Sequence, residues 1–544
     1  MSPRSSRSLP WSPMLMATAL MLGCAAEQPE GEGELAAASS SLVLSGAETL
    51  LGGVSAASPL TVDVEQGRLR GKLVGRTREF LGIPYAQPPV GALRFAPPVP
   101  AHSWNGTRQA LEFGPACPQP AGSLSAPGPQ SEDCLTLNVF TPRTIGAQPR
   151  PVMVFIHGGA FVAGASSVYD AQKLSETGDV VVVTLNYRLG ALGLLALPAL
   201  DAARNPATPS GNDALRDQQL ALAWVRANID AFGGDAAKVT LFGESAGSLS
   251  TCLHMVSPES RDLADRFVMQ SGACVGGMPI SKKDDAHVVG AGLAAALCSE
   301  ATDVVACLRA KPAAEVVAYG AASGISGAGW APVINAADPF LPEHPIKLIT
   351  KGNYNKGGFM VGSNANEWGL FQLIGATPVI RTVTELNAAI DAQFAELAPL
   401  VKLQYVTLSD DEANDTFVRL MTDAVFRCPA RVLSRLTTVQ GTPGYLYSFE
   451  QGNAYHAYDI PYVFGEPNAR LGAPTLVEPL RATMQTYWTQ FAKNGSPNAL
   501  GQPYWPRYDL LTDRYMTLDA SPSVGTGLLR VACDFWGALY LLDS

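Results

Sequence analysis

Apolar residues in this chain gather into short continuous runs, separated by stretches with helical spacing. Pro151–Ile156 and Val180–Leu185 are apolar at nearly every position. Runs of this kind are strands covered on both faces, as in a mainly parallel sheet. Val239–Phe242 is a shorter run, and Leu135–Phe140, Phe359–Val361 and Tyr445–Phe449 also read as strands. Leu215–Phe232 has helical spacing and meets a stop at Gly233-Gly234. Near the start, Val62–Val74 alternates and turns at Gly67, which predicts a first hairpin. Phe80 to Pro89 reads as a proline-rich surface segment. Strands alternating with helices predict an α/β protein. The signals run unbroken from about residue 60 to the end, so 59–544 is expected to be one domain, despite a length that by itself suggests several.

The first residues follow another pattern. Arg4 and Arg7 precede an apolar run from Met14 to Leu22, too short to span a bilayer, and residues 1–23 read as an export signal. Leu22-Gly23-Cys24 resembles the lipobox of bacterial lipoproteins, which implies acylation of Cys24. Met21 stands where such motifs usually carry Leu, and an ordinary secretory signal is the alternative. Residues 24–58, rich in Ala, Ser, Gly and Glu and free of aromatics, bury too little apolar area to offset their ordering entropy. They are expected to form a flexible tether, with a cap helix over Leu35–Leu44 as the alternative.

Composition narrows the function. The formal net charge is −10 and there is no basic run, which argues against a nucleic-acid partner. No segment repeats at solenoid spacing. No Cys/His cluster has metal-ligand spacing, so neither a metal nor an organic cofactor is expected.

Candidate chemistry appears where Val239–Phe242 runs into Gly243-Glu244-Ser245-Ala246-Gly247. This fits the G-x-S-x-G nucleophile elbow, in which a serine sits on a strained turn from strand to helix. The flanking glycines let strand and helix pack closely, and the helix N-terminus favours developing negative charge. Upstream, His157-Gly158-Gly159-Ala160 follows a predicted buried strand. Small residues there let backbone N–H groups approach a substrate oxygen.

With these motifs, the chain resembles a type-B carboxylesterase of the carboxylesterase/cholinesterase family. Gly211-Asn212 through Asp217-Gln218, Ala223-Trp224-Val225, Asn228-Ile229 and Phe232-Gly233-Gly234-Asp235, on to Gly247, is similar to the family's active-site signature. Glu132-Asp133-Cys134-Leu135, with Leu137-Asn138-Val139, resembles its second signature. The likeness continues through Phe80–Phe95, Trp330–Pro342 and Met484–Pro506. It implies an α/β-hydrolase fold, a large mainly parallel sheet flanked by helices. It also implies ester hydrolysis on a small-molecule substrate, with Ser245 as nucleophile and the N–H groups of Gly159, Ala160 and Ala246 as oxyanion donors. Where the family often has three glycines this chain has Ala160, whose methyl narrows the space beside the reacting carbon.

The fold implies the order Ser, acid, His along the chain. Of six histidines, His102, His157, His254, His287 and His344 lie before the elbow, precede any sensible acid, or sit in helix-like or turn segments. His456 follows the predicted strand Tyr445–Phe449, and Asn453 to Gly465 resembles the family's catalytic-histidine loop. Gly362 to Gly369 resembles the acid loop, which puts Glu367 in the role of acid. Asp459 is the rival by sequence, but it follows His456 and breaks the expected order.

Of nine cysteines, Cys24 belongs to the leader. The resemblance implies three disulfides, Cys117–Cys134, Cys298–Cys307 and Cys428–Cys533, and two structural ion pairs, Arg94–Glu132 and Arg188–Asp217. Cys252 and Cys274 have no assigned partners. For Cys252, in the helix after the elbow, a buried thiol is the simpler reading, and a bond between the two is the other. Three other functions fit the residues less well. A non-catalytic binding protein of the cholinesterase type conflicts with an intact Ser245, Glu367 and His456. A lipase needs an apolar lid, yet in the loop 118–133 Leu124 is the only large aliphatic residue. A cholinesterase needs an aromatic face for a quaternary ammonium, and that loop has none. A membrane is expected to be a partner only through the lipid on Cys24, and the oligomeric state stays open.

Overall fold

The computed structural model describes residues 60–544 apart from 123, 145–147, 205–207, 323–328 and 469–474. The expected export signal 1–23, the expected acylation site Cys24 and the expected tether 24–58 lie outside the described residues.

Among the described residues, eleven strands form one sheet. In spatial order they are Ser523–Thr526, Arg514–Leu518, Tyr445–Phe449, Gly358–Asn364, Arg266–Gln270, Gly234–Glu244, Arg150–Ile156, Val181–Leu185, Thr136–Pro142, Thr77–Pro84 and Lys72–Val74. Every pairing from Val181–Leu185 across to Arg514–Leu518 is parallel. The outer pairings on both sides are antiparallel. The sheet is therefore mixed, with a parallel centre, and this is the α/β-hydrolase fold.

The continuous apolar runs are explained by the two faces. Val152, Val154 and Ile156 point into one core cluster together with Val181, Val183 and Leu185. Met153 and Phe155 point into the other with Val180 and Val182. Each fully buried side chain of this size contributes about 1.5–3 kcal/mol, so helices are required on both faces and an alternating pattern would not serve.

Two local expectations are revised. The segment beginning at Phe80 is not on the surface. Thr77–Pro84 is an inner strand of the sheet, and Phe80, Leu81, Ile83, Tyr85 and Ala86 are all buried. Pro84, Pro88 and Pro89 favour a loop, but Pro84 is the last residue of the strand and the other two follow it. The first hairpin is shorter than Val62–Val74. Thr61–Val64 pairs with Gly67–Arg70, and Lys72–Val74 then leaves to become the edge of the large sheet. The helix expected over Leu215–Phe232 spans Asp213–Asn228 and tightens to a 3₁₀ turn over Ile229–Phe232.

Cross-links hold the connections. Cys117–Cys134, Cys298–Cys307 and Cys428–Cys533 are formed. Cys252 is not a free thiol: it bonds to Cys274, joining the helix after the elbow to the segment after Arg266–Gln270. Both ion pairs are present, Arg94 with Glu132, and Arg188 Nη2 with Asp217 Oδ1 at 2.7 Å in the interior. No helix among the described residues is long and apolar enough to cross a membrane.

Candidate active site

The strand Gly234–Glu244 ends against Ser245, and the helix Ala246–Val256 starts at once. Ser245 takes φ +58° and ψ −122°, a conformation that costs about 1–3 kcal/mol and persists only where the surroundings impose it. Its N–H donates to Gln270 O on the neighbouring strand at 2.9 Å. The two glycines of the pattern are steric requirements. A Cβ on Gly243 would lie 2.4 Å from Gly247 O, and one on Gly247 would lie 1.9 Å from Ile156 O. Strand, elbow and helix thus touch backbone to backbone, and Ser245 is buried in a tightly packed turn.

The segment after the strand Arg150–Ile156 runs beside this elbow. A Cβ on Gly158 would sit 3.0 Å from the Ser245 Cβ. Gly159, Ala160 and Phe161 all have positive φ, at 107°, 54° and 60°. The turn is closed by the N–H groups of Val162 and Ala163, both donating to Gly159 O at 3.0 Å. Among the described residues the N–H groups of Gly159, Ala160 and Ala246 donate to no backbone acceptor. Free N–H groups beside the serine are what an oxyanion site needs.

Glu367 opens the helix Glu367–Leu373, three residues beyond the strand Gly358–Asn364, and is fully buried. Its Oε1 accepts the Asn364 N–H at 2.6 Å, and its Oε2 meets His456 Nδ1 at 2.6 Å. His456 lies in the loop after Tyr445–Phe449, between Ala454 and Ala457, which both have positive φ. The rings of Phe426 and Phe371 stand 4.8 Å and 5.1 Å from the imidazole. Phe426 belongs to a single π-helical turn, Asp423–Arg427. Asp459 does not reach the imidazole. It is occupied by Gln270 Nε2 at 2.8 Å, Tyr447 Oη at 3.1 Å and Asn364 Nδ2 at 3.4 Å.

The other imidazole nitrogen faces a residue that the sequence did not single out. His456 Nε2 lies 3.1 Å from Glu244 Oε1. Neither atom makes a well-formed hydrogen bond among the described residues, and none joins Ser245 Oγ to Nε2. Burial drives the Glu244 carboxyl above its usual range, and the charges of Asp459 and Glu367 add to this, against the pull of His456. Burial alone would lower the His456 pKa. The carboxylates of Glu244 and Glu367, the Glu367 hydrogen bond and Asp459 outweigh it and carry the imidazole above the ordinary histidine value. Glu244 occupies a variable position of the elbow pattern, so nothing in that pattern marks it.

His157 and His254 have structural settings. His157 stacks on Tyr187 at 4.4 Å, and burial lowers its pKa to about 4. His254 is held between Ser260 and Gln218, and burial lowers it to about 3. Among the described residues no group of three His, Cys, Asp or Glu could hold a metal ion. A cavity of about 1070 Å³ is lined by Arg226, Arg261, Asp265 and Lys356 among others. It opens at the N-terminal ends of the parallel strands, whereas Ser245 follows a C-terminal end, where ligands of open α/β sheets bind.

A family model described as the carboxylesterase family matches residues 58–536. A pyrethroid hydrolase of Mus musculus is 33% identical over 532 residues, covering 89% of this chain and 92% of that protein. An acylcarnitine hydrolase of Mus musculus is 33% identical over 519 residues, covering 86% of this chain and 89% of that protein.

Proposed function

The chain belongs to the carboxylesterase family and is a carboxylic ester hydrolase, and we propose that it works through an acyl-enzyme formed on Ser245. His456 takes the Ser245 proton at Nε2 as Oγ attacks the ester carbonyl. The N–H groups of Gly159, Ala160 and Ala246 hold the carbonyl oxygen as it gains charge. The alcohol leaves with the proton from His456, and water then releases the acid by the reverse sequence. Glu367 keeps the Nδ1 proton in place and stabilises the imidazolium.

The observation that carries this reading is the 2.6 Å contact between Glu367 and His456, beside a serine held in an elbow conformation. Its test is trapping. Brief exposure to p-nitrophenyl butyrate at acid quench should add one butyryl group to the peptide bearing Ser245. Ser245→Ala should remain folded, take up no acyl group and lose turnover. An acyl group on another residue, or substantial turnover by S245A, refutes the assignment.

The natural substrate is read as a soluble short-chain ester, because the loop 118–133 is mainly Pro, Gly, Ser and Ala, with little to offer an oil surface. The chain is read as a bacterial exported protein, anchored by a lipid on Cys24, with 24–58 as tether and 59–544 as the hydrolase domain. The four disulfides among the described residues favour an oxidising compartment.

A further inference from the structure

The loop closed by Cys117 and Cys134 grips the segment that carries the oxyanion N–H groups, and one side chain makes the grip. Gln119 is buried at the foot of the loop. Its Oε1 accepts the Gly164 N–H at 3.0 Å and the Ala126 N–H at 2.8 Å. Its Nε2 donates to Gly164 O at 2.9 Å and to Cys117 O at 3.0 Å. All four hydrogen-bonding positions of the amide are thereby used. The amide pairs with Gly164 in both directions, as one backbone residue pairs with another across a ladder. The backbone N–H of Gln119 donates to Gln130 Oε1 at 3.0 Å, so the residue is itself fixed to the far side of the loop.

Gly164 in turn lies against the base of the oxyanion turn. It has φ +108°, and a Cβ there would stand 2.5 Å from His157 Nδ1 and 2.7 Å from Gly158 O. A Cβ on Gly159 would stand 2.1 Å from Ala163 O, the carbonyl just before Gly164. The segment from His157 to Gly164 is therefore packed on itself without slack. Ala116 and Ala126 of the disulfide region pack on Ala165, which adds an apolar seam next to the clamp.

We propose that Gln119 is a positioning residue for ester hydrolysis: by clamping Gly164 on both its N–H and its C=O, it holds the turn that presents the N–H groups of Gly159 and Ala160. The inference rests on the reading of those groups as oxyanion donors. Without the amide, the Gly164 N–H and C=O, the Ala126 N–H and the Cys117 C=O all lose a partner inside the protein. They recover partners by moving. A displacement of about 1 Å at groups that stabilise a transition state is sufficient to lower the rate by about 10²-fold.

The test uses the whole protein carrying Gln119→Met, with Gln119→Glu as the second variant. Glu has the same size and keeps both acceptor contacts, but it sets a carboxylate against the carbonyls of Gly164 and Cys117. Hydrolysis of p-nitrophenyl butyrate is measured with inhibition by an alkyl trifluoromethyl ketone, whose hemiketal on Ser245 carries a full oxyanion. The expected result is a kcat lower by about 10²-fold with KM little changed, and ketone affinity weakened by the same factor as kcat/KM. A purely structural role would lower the melting temperature without moving ketone affinity in the folded protein. If Q119M does not fold, Q119E carries the test. Wild-type protein that binds the ketone, with variants that keep its affinity and kcat, overturns the clamp alone. Wild-type protein that the ketone does not inhibit overturns the oxyanion reading, and the clamp falls with it.

Discussion

His456 Nε2 lies 3.1 Å from Oε1 of Glu244, the residue immediately before Ser245. The nitrogen proposed to receive the serine proton therefore faces a buried carboxylate. Both groups titrate above their usual values, Glu244 through burial and His456 through the carboxylates that overcome burial. At this distance they titrate as a pair.

The base must be neutral to accept a proton, so kcat/KM falls as pH drops through the pKa of His456. Because that pKa is raised, the acid limb should lie above the ordinary histidine range near 6.5. Glu244→Gln keeps the volume and removes one negative charge, which destabilises the imidazolium. The limb should then move to lower pH. Profiles of kcat/KM against pH for both proteins measure this, and a limb that stays put or moves up contradicts the electrostatic role given to Glu244.

Glu367 and Asp459 are both buried carboxylates within one network, yet only Glu367 touches the imidazole. Glu367→Gln should lower kcat by about 10⁴-fold while leaving the melting temperature close to wild type. Asp459→Asn should lower stability more than rate, because Gln270, Tyr447 and Asn364 lose a charged acceptor. Steady-state kinetics beside thermal melts separates the two, and a larger kcat loss in D459N would reverse the assignment.

Gly247→Ala places a Cβ 1.9 Å from Ile156 O, and backbone cannot swing aside as a flexible side chain can. We expect a loss of about 3 kcal/mol or failure to accumulate folded protein. Ala160→Gly is the counterpart. It removes a methyl from a residue at φ +54°, so it should keep the fold and widen the range of alcohols accepted. Melting curves and an ester panel check both, and a G247A protein as stable as wild type would mean that strand and helix are further apart than described.

If Cys24 is acylated, wild-type protein should partition into membranes, and Cys24→Ser should leave it uncleaved or soluble. One lipid chain binds a membrane only marginally, so stable anchoring requires several. Mass spectrometry of the mature N-terminus decides. An unmodified terminus beyond residue 24 points to an ordinary secretory signal.

Soluble short-chain esters should be hydrolysed faster than emulsified triglycerides. Leu124, the one large aliphatic residue of the loop 118–133, is 42% exposed and stands without an apolar neighbour of its size in that loop. Rates should follow dissolved substrate smoothly through its solubility limit. A jump in rate at that limit would show that another segment acts as a lid.

By itself the sequence determined the parts whose signal is local. Strands covered on both faces had to be apolar at nearly every position, and Met153 and Val154 are legible as such although they enter different cores. Glycines at 243 and 247 had to flank the serine, because backbone approaches backbone there. The resemblance named Glu367 over Asp459, but only tertiary structure turns one carboxylate toward His456 and the other toward Gln270, since sequence spacing carries no side-chain direction. Tertiary structure also buried Phe80 and Ile83 in a strand, although Pro84, Pro88 and Pro89 give the segment the local pattern of a loop. It brought Cys274 within 5.6 Å of Cys252 between Cα atoms, a pairing that depends on where the chain returns after a strand. The meetings of Glu244 with His456 and of Gln119 with Gly164 are of the same kind. Each joins segments distant along the chain, and the distance between them is set by the packing of the sheet and its loops, which no local pattern of residues encodes.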